Sequence, residues 1–171
     1  DYSEIWIERR RTRDGQPLKP RTKDLYRILL DKQILPTLGD MHLADITADD
    51  IDDWYAMLLP AAPTRRAHAY SLLSTIMRSA STGRRPLIPD SPCKVEHPTV
   101  LHRTFEPKPA TPQQIATIVE NMPDKYQALI LLAAWCGLRW GEVSELRRKD
   151  LDLASMSVRV ERAVVWRNGE A

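Results

Sequence analysis

Arg139 and Glu142 stand three residues apart in Trp135-Cys136-Gly137-Leu138-Arg139-Trp140-Gly141-Glu142, at the end of the apolar run from Ala128 to Cys136. An arginine at the mouth of a hydrophobic segment has two uses. It can pair with a carboxylate one helical turn on, as a structural ion pair. It can also be held there to grip an anion, because a guanidinium offers a rigid fork of donors and stays charged at any working pH. Gly137 reads as the break that ends the apolar helix and places the arginine at the next helix start.

Other residue types that do chemistry are less organised. The two cysteines, Cys93 and Cys136, lie far apart, so a disulfide framework is not expected and a reducing cytoplasm fits. His42, His68, His97 and His102 make no metal-ligand spacing with them, and no metal site is expected. Five aspartates crowd into Asp45–Asp53, which reads as helix-start chemistry rather than a metal site. Basic residues gather in Glu8–Lys23 and Thr64–Arg66. The net charge of +2 says little, but this segregation suits a protein that meets a polyanion with one face. Ordinary solvated helix faces give the same pattern, and charge alone does not choose.

At 171 residues the chain can form one or two small domains and bury roughly 70% of its unfolded surface. With 43% apolar and 28% charged residues it reads as soluble and globular. Its longest apolar run is far short of the roughly 20 residues that span a bilayer. The first ten residues are charged and do not resemble a signal peptide.

The pattern predicts four short helices first. Residues 1–11 form one, with Ile5 and Trp6 on one side, broken by Gly15, Pro17 and Pro20. A second starts near Thr22, with Leu25, Ile28 and Leu29 at helical spacing, and ends at Pro36 and Gly39. A third has Thr47 as N-cap, Asp49 and Asp50 in its first turn, an Ile46–Ile51 staple, and Trp54, Tyr55 and Leu58 inward. The fourth runs from Thr64 to Ser81 and stops at Gly83, with Ala69, Leu72, Leu73, Ile76, Met77 and Ala80 as its apolar stripe. Together they make an all-α bundle.

A stretch holding seven of the thirteen prolines follows and reads as a linker. At its end Thr111, Pro112 and Gln114 spell a capping box. The helix after Pro123 is apolar all round, as an inner helix would be, with Trp135 in a core. Another helix covers Leu138–Arg148, with Val143 and Leu146 inward and Trp140 as cover. Met156, Val158 and Val160 then alternate with polar residues as a half-buried strand, and Asn168-Gly169 signals a hairpin turn. A strand lacking its partner is an open edge, so the domain is expected to continue beyond this sequence.

Leu131 to Leu153 resembles the first catalytic box of the tyrosine recombinases, the phage integrase family. That box reads roughly Thr-Gly-Leu-Arg-x-x-Glu-hydrophobic, then a helix and an Asp-hydrophobic-Asp turn into a strand. Gly137, Leu138, Arg139 and Glu142 match; Cys136 stands where threonine is usual. Leu18–Tyr55 looks like the second and third helices of the family's core-binding domain, and Pro63–Ala80 like the fourth. The flavour is that of actinobacterial phage and prophage integrases, and the likeness covers nearly the whole chain.

The resemblance implies a SAM-like all-α core-binding domain over 1–97, a Pro-rich linker over 98–110, and the N-terminal part of an α+β catalytic domain over 111–171. It implies site-specific recombination, in phage integration and excision, through a 3′-phosphotyrosyl intermediate with no metal or nucleotide cofactor. Arg139 would stabilise the five-coordinate phosphorus, and Glu142 would support it structurally. A preorganised donor of this kind is worth about 3 kcal/mol. The family nucleophile lies downstream of this arginine, whereas Tyr2, Tyr26, Tyr55, Tyr70 and Tyr126 all precede it, and no His-x-x-Arg occurs. The stretch is therefore expected to bind DNA at most. The second and fourth helices approach DNA in this family, which nominates Arg21, Thr22, Lys23, Arg65, Arg66, His68 and Arg78. Arg147, Arg148 and Lys149 either join them or answer a helix dipole. The partners implied are double-stranded DNA, a tetramer of the full-length protein on it, and a directionality factor or host DNA-bending protein. This stretch alone is expected to be monomeric, cytoplasmic and without membrane contact. The competing readings are a DNA-binding relative without catalysis and a helical protein-interaction domain.

Overall fold

The computed structural model describes residues 2–58, 61–82, 85–95 and 106–165. His97, His102, Gly83, residues 98–105 and the Asn168-Gly169 turn lie outside them. Two compact units result, Asp1–Thr104 and Phe105–Ala171.

The first unit is helical. Helix α1 spans Tyr2–Arg9 and buries Ser3, Trp6 and Ile7. Ile5 is half exposed. The inward stripe therefore passes through Ile7 rather than the expected Ile5, since residues 3, 6 and 7 share a face and residue 5 does not.

Helix α2 (Pro20–Leu29) does not stop at Pro36. It runs through a π turn, Leu30–Ile34, into α3 (Leu35–Leu38). Proline has no N–H and its ring clashes with the carbonyl four residues back. The chain answers by widening the preceding turn: the Leu35 N–H donates to Leu30 O, five residues back. The wider turn changes the register. Tyr26, Leu30, Ile34 and Leu38, spaced by four, pack into the core. Leu25 and Ile28, expected on the apolar side, are about half exposed.

Helix α4 (Ala48–Met57) starts on the expected cap. The Asp50 N–H donates to Thr47 Oγ1 at 3.2 Å, and the Thr47 N–H donates to Asp50 Oδ2 at 2.9 Å. Ile46 packs on the core and Ile51 is fully buried. Helix α5 (Pro63–Ser81) buries the whole predicted stripe together with Tyr70. Tyr55 and Tyr70 meet edge-on at 5.2 Å, and the Tyr70 hydroxyl accepts from the Val95 N–H at 3.1 Å, returning the chain to the bundle.

In the second unit, α6 (Pro112–Asn121) starts on the predicted Thr111–Gln114 capping box. Helix α7 (Asp124–Cys136) ends at Gly137, whose φ of +67° is left-handed. The apolar character of α7 is not matched by burial. None of its residues is buried, and Trp135, expected in a core, is 62% exposed. An apolar helix needs neighbours all round; α6 and the short α8 (Trp140–Ser144) cover only part of it. Helix α8 is much shorter than the expected Leu138–Arg148. The Ser144 hydroxyl bonds back to Trp140 O at 2.6 Å, and Asp150 accepts the Arg147 N–H at 3.0 Å to start a 3₁₀ turn, Arg148–Asp150. Trp140, expected as cover, is 64% exposed.

Strands β1 (Leu151–Asp152) and β2 (Ser157–Val158) form an antiparallel pair, Leu151 opposite Val158. Asp152 Oδ1 accepts the N–H groups of Ala154 and Ser155 and so shapes the turn. The partner of the predicted strand thus lies upstream, and the other edge of each strand stays unpaired among the described residues. Met156 sits in the turn with φ of +50° and is exposed, not part of an alternating strand.

Candidate nucleic-acid interface and arginine box

The nominated residues of the first unit sit on two packed helices. Arg21, Thr22 and Lys23 form the first turn of α2; Arg65, Arg66 and His68 lie in the first two turns of α5; Arg78 lies in its last turn. Leu25, Ile28 and Leu29 of α2 face Pro63, Thr64, Arg65 and His68 across an open groove of about 690 Å³. Arg21 continues the Leu25–Ile28 stripe by one turn; on α5, Arg65 neighbours His68 one turn on, and His68 leads through Ser71 and Thr75 to Arg78.

Local chemistry leaves the starts of both helices positive. Each begins on proline, has no side-chain cap, and carries no acid in its first turn. Helix α4, by contrast, carries Asp49 and Asp50 there. Bare N–H groups and the dipole together favour an anion.

The nominated cations are not equivalent. Arg21, Arg65, His68 and Arg78 are exposed and make no ion pair among the described residues. Lys23 is paired with Glu8, and Arg27 binds Glu4 at 2.6 Å and Glu8 at 2.7 Å. The hydrogen bond from Lys23, then that from Arg27, holds the Glu8 carboxyl below its usual range. The Arg66 guanidinium lies 3.9 Å from the Tyr55 ring centroid, a cation–π stack. Thr22 is half-buried. The α1–α2 ion network was missed in the sequence, although Glu4/Glu8 and Lys23/Arg27 are both spaced by four, the signature of two matching charged faces.

In the second unit, Gly137 turns the chain and Arg139 becomes the N-cap of α8. Glu142 closes the box. Its Oε2 accepts the Arg139 backbone N–H at 2.8 Å, and its Oε1 accepts Arg139 Nη1 at 3.1 Å. These bonds, the backbone one foremost, hold the Glu142 carboxyl low. The Arg139 side chain is still 86% exposed, against 21% for Glu142. One face of the guanidinium is therefore held while the rest stays open. Glycine is required at 141: a Cβ there would meet Val164 O at 2.6 Å, and the Val164 N–H donates to Gly141 O at 2.8 Å. Behind the box, buried Asp150 accepts from Arg162, and Arg147 binds Glu145 at 2.7 Å. Arg148 and Lys149 are exposed. No group of three His, Cys, Asp or Glu side chains able to hold a metal occurs among the described residues, and no helix among them is long and apolar enough to cross a membrane.

Residues 1–59 match the family described as the phage integrase N-terminal SAM-like domain. The chain is 44% identical over 165 residues to a putative prophage phiRv2 integrase of Mycobacterium tuberculosis, covering 96% of this chain and 42% of that protein. It is 33% identical over 164 residues to an integrase of Mycobacterium phage D29, covering 95% and 41%. The integrase of Mycobacterium phage L5 is 32% identical over 164 residues, covering 95% and 42%. No solved structure matches significantly. The chain belongs to the phage integrase family. It spans about two fifths of the length of the relatives it matches.

Proposed function

We propose that this chain is the core-DNA-binding part and first catalytic segment of a tyrosine-type, site-specific recombinase that integrates and excises phage DNA. The observation that carries the DNA-binding reading is the α2–α5 face, where Arg21, Arg65, His68 and Arg78 stand exposed without carboxylate partners beside two uncapped, acid-free helix starts. Exposed arginines of this kind bind phosphates and fix register rather than read bases. Arg139 is the catalytic arginine of this reading. Glu142 fixes its backbone and one edge of its guanidinium, leaving the remaining donors for a non-bridging phosphate oxygen. Residues 1–97 are the core-binding domain, 98–110 the linker, and 111–171 the start of the catalytic domain. The whole recombinase acts as a tetramer on duplex DNA in the bacterial cytoplasm, with a directionality factor or host DNA-bending protein; this stretch alone is monomeric.

The test is twofold. A labelled attachment-site duplex is titrated with the chain across a salt series. Neutralising about three phosphates, one for each exposed arginine of this face, contributes about −2.7 to the slope of log K on log salt. A flat dependence removes the DNA-binding reading. A nicked suicide duplex is then offered; none of the five tyrosines follows Arg139, so no covalent adduct is expected. An adduct overturns the assignment of this stretch as cleavage-incompetent.

A further inference from the structure

The α1–α2 connection carries charge that, Arg21 apart, the proposed face does not use. Between Arg9 and Arg21 lie six exposed cations, Arg9, Arg10, Arg11, Arg13, Lys19 and Arg21, against one carboxylate, Asp14. None of the six makes an ion pair among the described residues. The nearby acids of α1 are already taken, because Lys23 and Arg27 of α2 hold Glu4 and Glu8. Arg10 lies over the Trp6 ring at 5.3 Å, which fixes its stem but leaves its charge.

This connection is a built turn. Arg11 and Pro17 form a β-bridge. The Thr12 N–H donates to Gln16 O at 2.8 Å, the Gly15 N–H to Thr12 O at 3.0 Å, and the Gln16 N–H to Thr12 Oγ1 at 3.2 Å. Gly15 takes the left-handed φ of +76° that closes it. Like charges held this close repel one another, and a polyanion relieves that repulsion. A fixed turn also loses little entropy on binding.

We propose that the Arg9–Arg21 turn is a second phosphate-binding surface, which holds the backbone of duplex DNA beside the segment taken by the α2–α5 face. Arg21 belongs to both, so one duplex can follow the two surfaces without a break. This rests on the DNA-binding reading of the first unit.

The test uses the chain with Arg11→Gln, Arg13→Gln and Lys19→Gln together, and a charge-matched control with Lys32→Gln, Arg85→Gln and Lys125→Gln. All six positions are exposed, and far-UV circular dichroism checks that both variants keep the parent fold. Binding to a duplex of about 30 base pairs is followed by fluorescence anisotropy over a salt series. Each lost phosphate contact flattens the slope by about 0.9, so the turn variant loses about 2 to 3 units of slope and the control keeps the parent slope. If the parent binds and the turn variant keeps the parent slope, the inference fails while the proposed function stands. Equal flattening in turn and control variants reduces the effect to net charge and also overturns it. If the parent itself does not bind, the DNA-binding reading falls and the inference with it.

Discussion

Trp54→Phe tests how the first unit aims its second helix. The Trp54 indole is 2% exposed, and its N–H donates to Gln33 O at 2.8 Å. Gln33 belongs to the π turn that lets the helix pass Pro36, so this bond joins α4 to the least regular part of the rod that presents Arg21. Phenylalanine keeps an aromatic ring but removes the donor. A part-buried carbonyl left unpaired costs about 1–3 kcal/mol. Trimming the indole adds a cavity cost of about 1 kcal/mol, a fraction of what truncating an aromatic to alanine costs. The sum, about 3 kcal/mol, lowers Tm by at least about 12 °C for a unit of this size. Urea unfolding followed by far-UV circular dichroism measures it as a fall in midpoint at constant slope. Trp140→Phe is the control: that ring is 64% exposed, and its replacement stays within about 0.5 kcal/mol. If Trp54→Phe costs less than about 1 kcal/mol, the indole bond does not hold the π turn and the argument for α2's placement is refuted.

The two nominated lysine and arginine positions separate by environment. Arg65→Gln flattens the salt slope of duplex binding by about 0.9, whereas Lys23→Gln leaves it near the parent value because Glu8 already neutralises that charge. Thr47→Ala moves Asp50's titration up toward its ordinary value of about 3.9, since hydrogen bonds from the Thr47 side chain and backbone hold the folded carboxyl below it. A depressed folded pKa adds stability that is full above the unfolded pKa and is lost as pH falls through the folded one. The variant should therefore show a weaker loss of stability at the acid end, read by carboxyl NMR titration and acid unfolding. Burial pushes the Cys93 thiol up to about 11, so at pH 8 an alkylating reagent should modify exposed Cys136 well before Cys93, and denaturant should abolish the difference; equal native rates would contradict the burial of Cys93.

Local signals were legible wherever one or two residues decide the outcome. The Thr47 and Thr111 caps, the Gly137 stop and the α5 stripe follow from backbone donors needing partners and from a period of 3.6. The second helix outruns its predicted end because proline reads as a terminator in sequence. Its cost to a helix is real, but a wider turn meets it and shifts which residues face inward, something no fixed-period template contains. The pairing of Lys23 is not legible for a related reason: it depends on α1 lying alongside α2, a tertiary fact. In the second unit the apolar composition of α7 was legible but its burial was not, because burial is a property of the neighbours.

The arginine box shows most clearly what spacing alone cannot decide. From the sequence, pairing with Glu142 and gripping an anion stood as alternatives. In the structure the pairing is present, yet it uses the carboxylate for two tasks at once, holding the helix start and one guanidinium nitrogen. A guanidinium has five donors, so a single 3.1 Å bond leaves most of them free, and the side chain's 86% exposure keeps them open to a ligand. The ion pair therefore restricts the rotamers of Arg139 without consuming its capacity to bind oxygen. That combination suits a group that must meet a phosphate in one orientation: fixing it beforehand removes part of the entropy that binding would otherwise cost. Under the proposed function, structural pairing and anion binding become successive uses of one side chain, and Glu142 makes the second use directional.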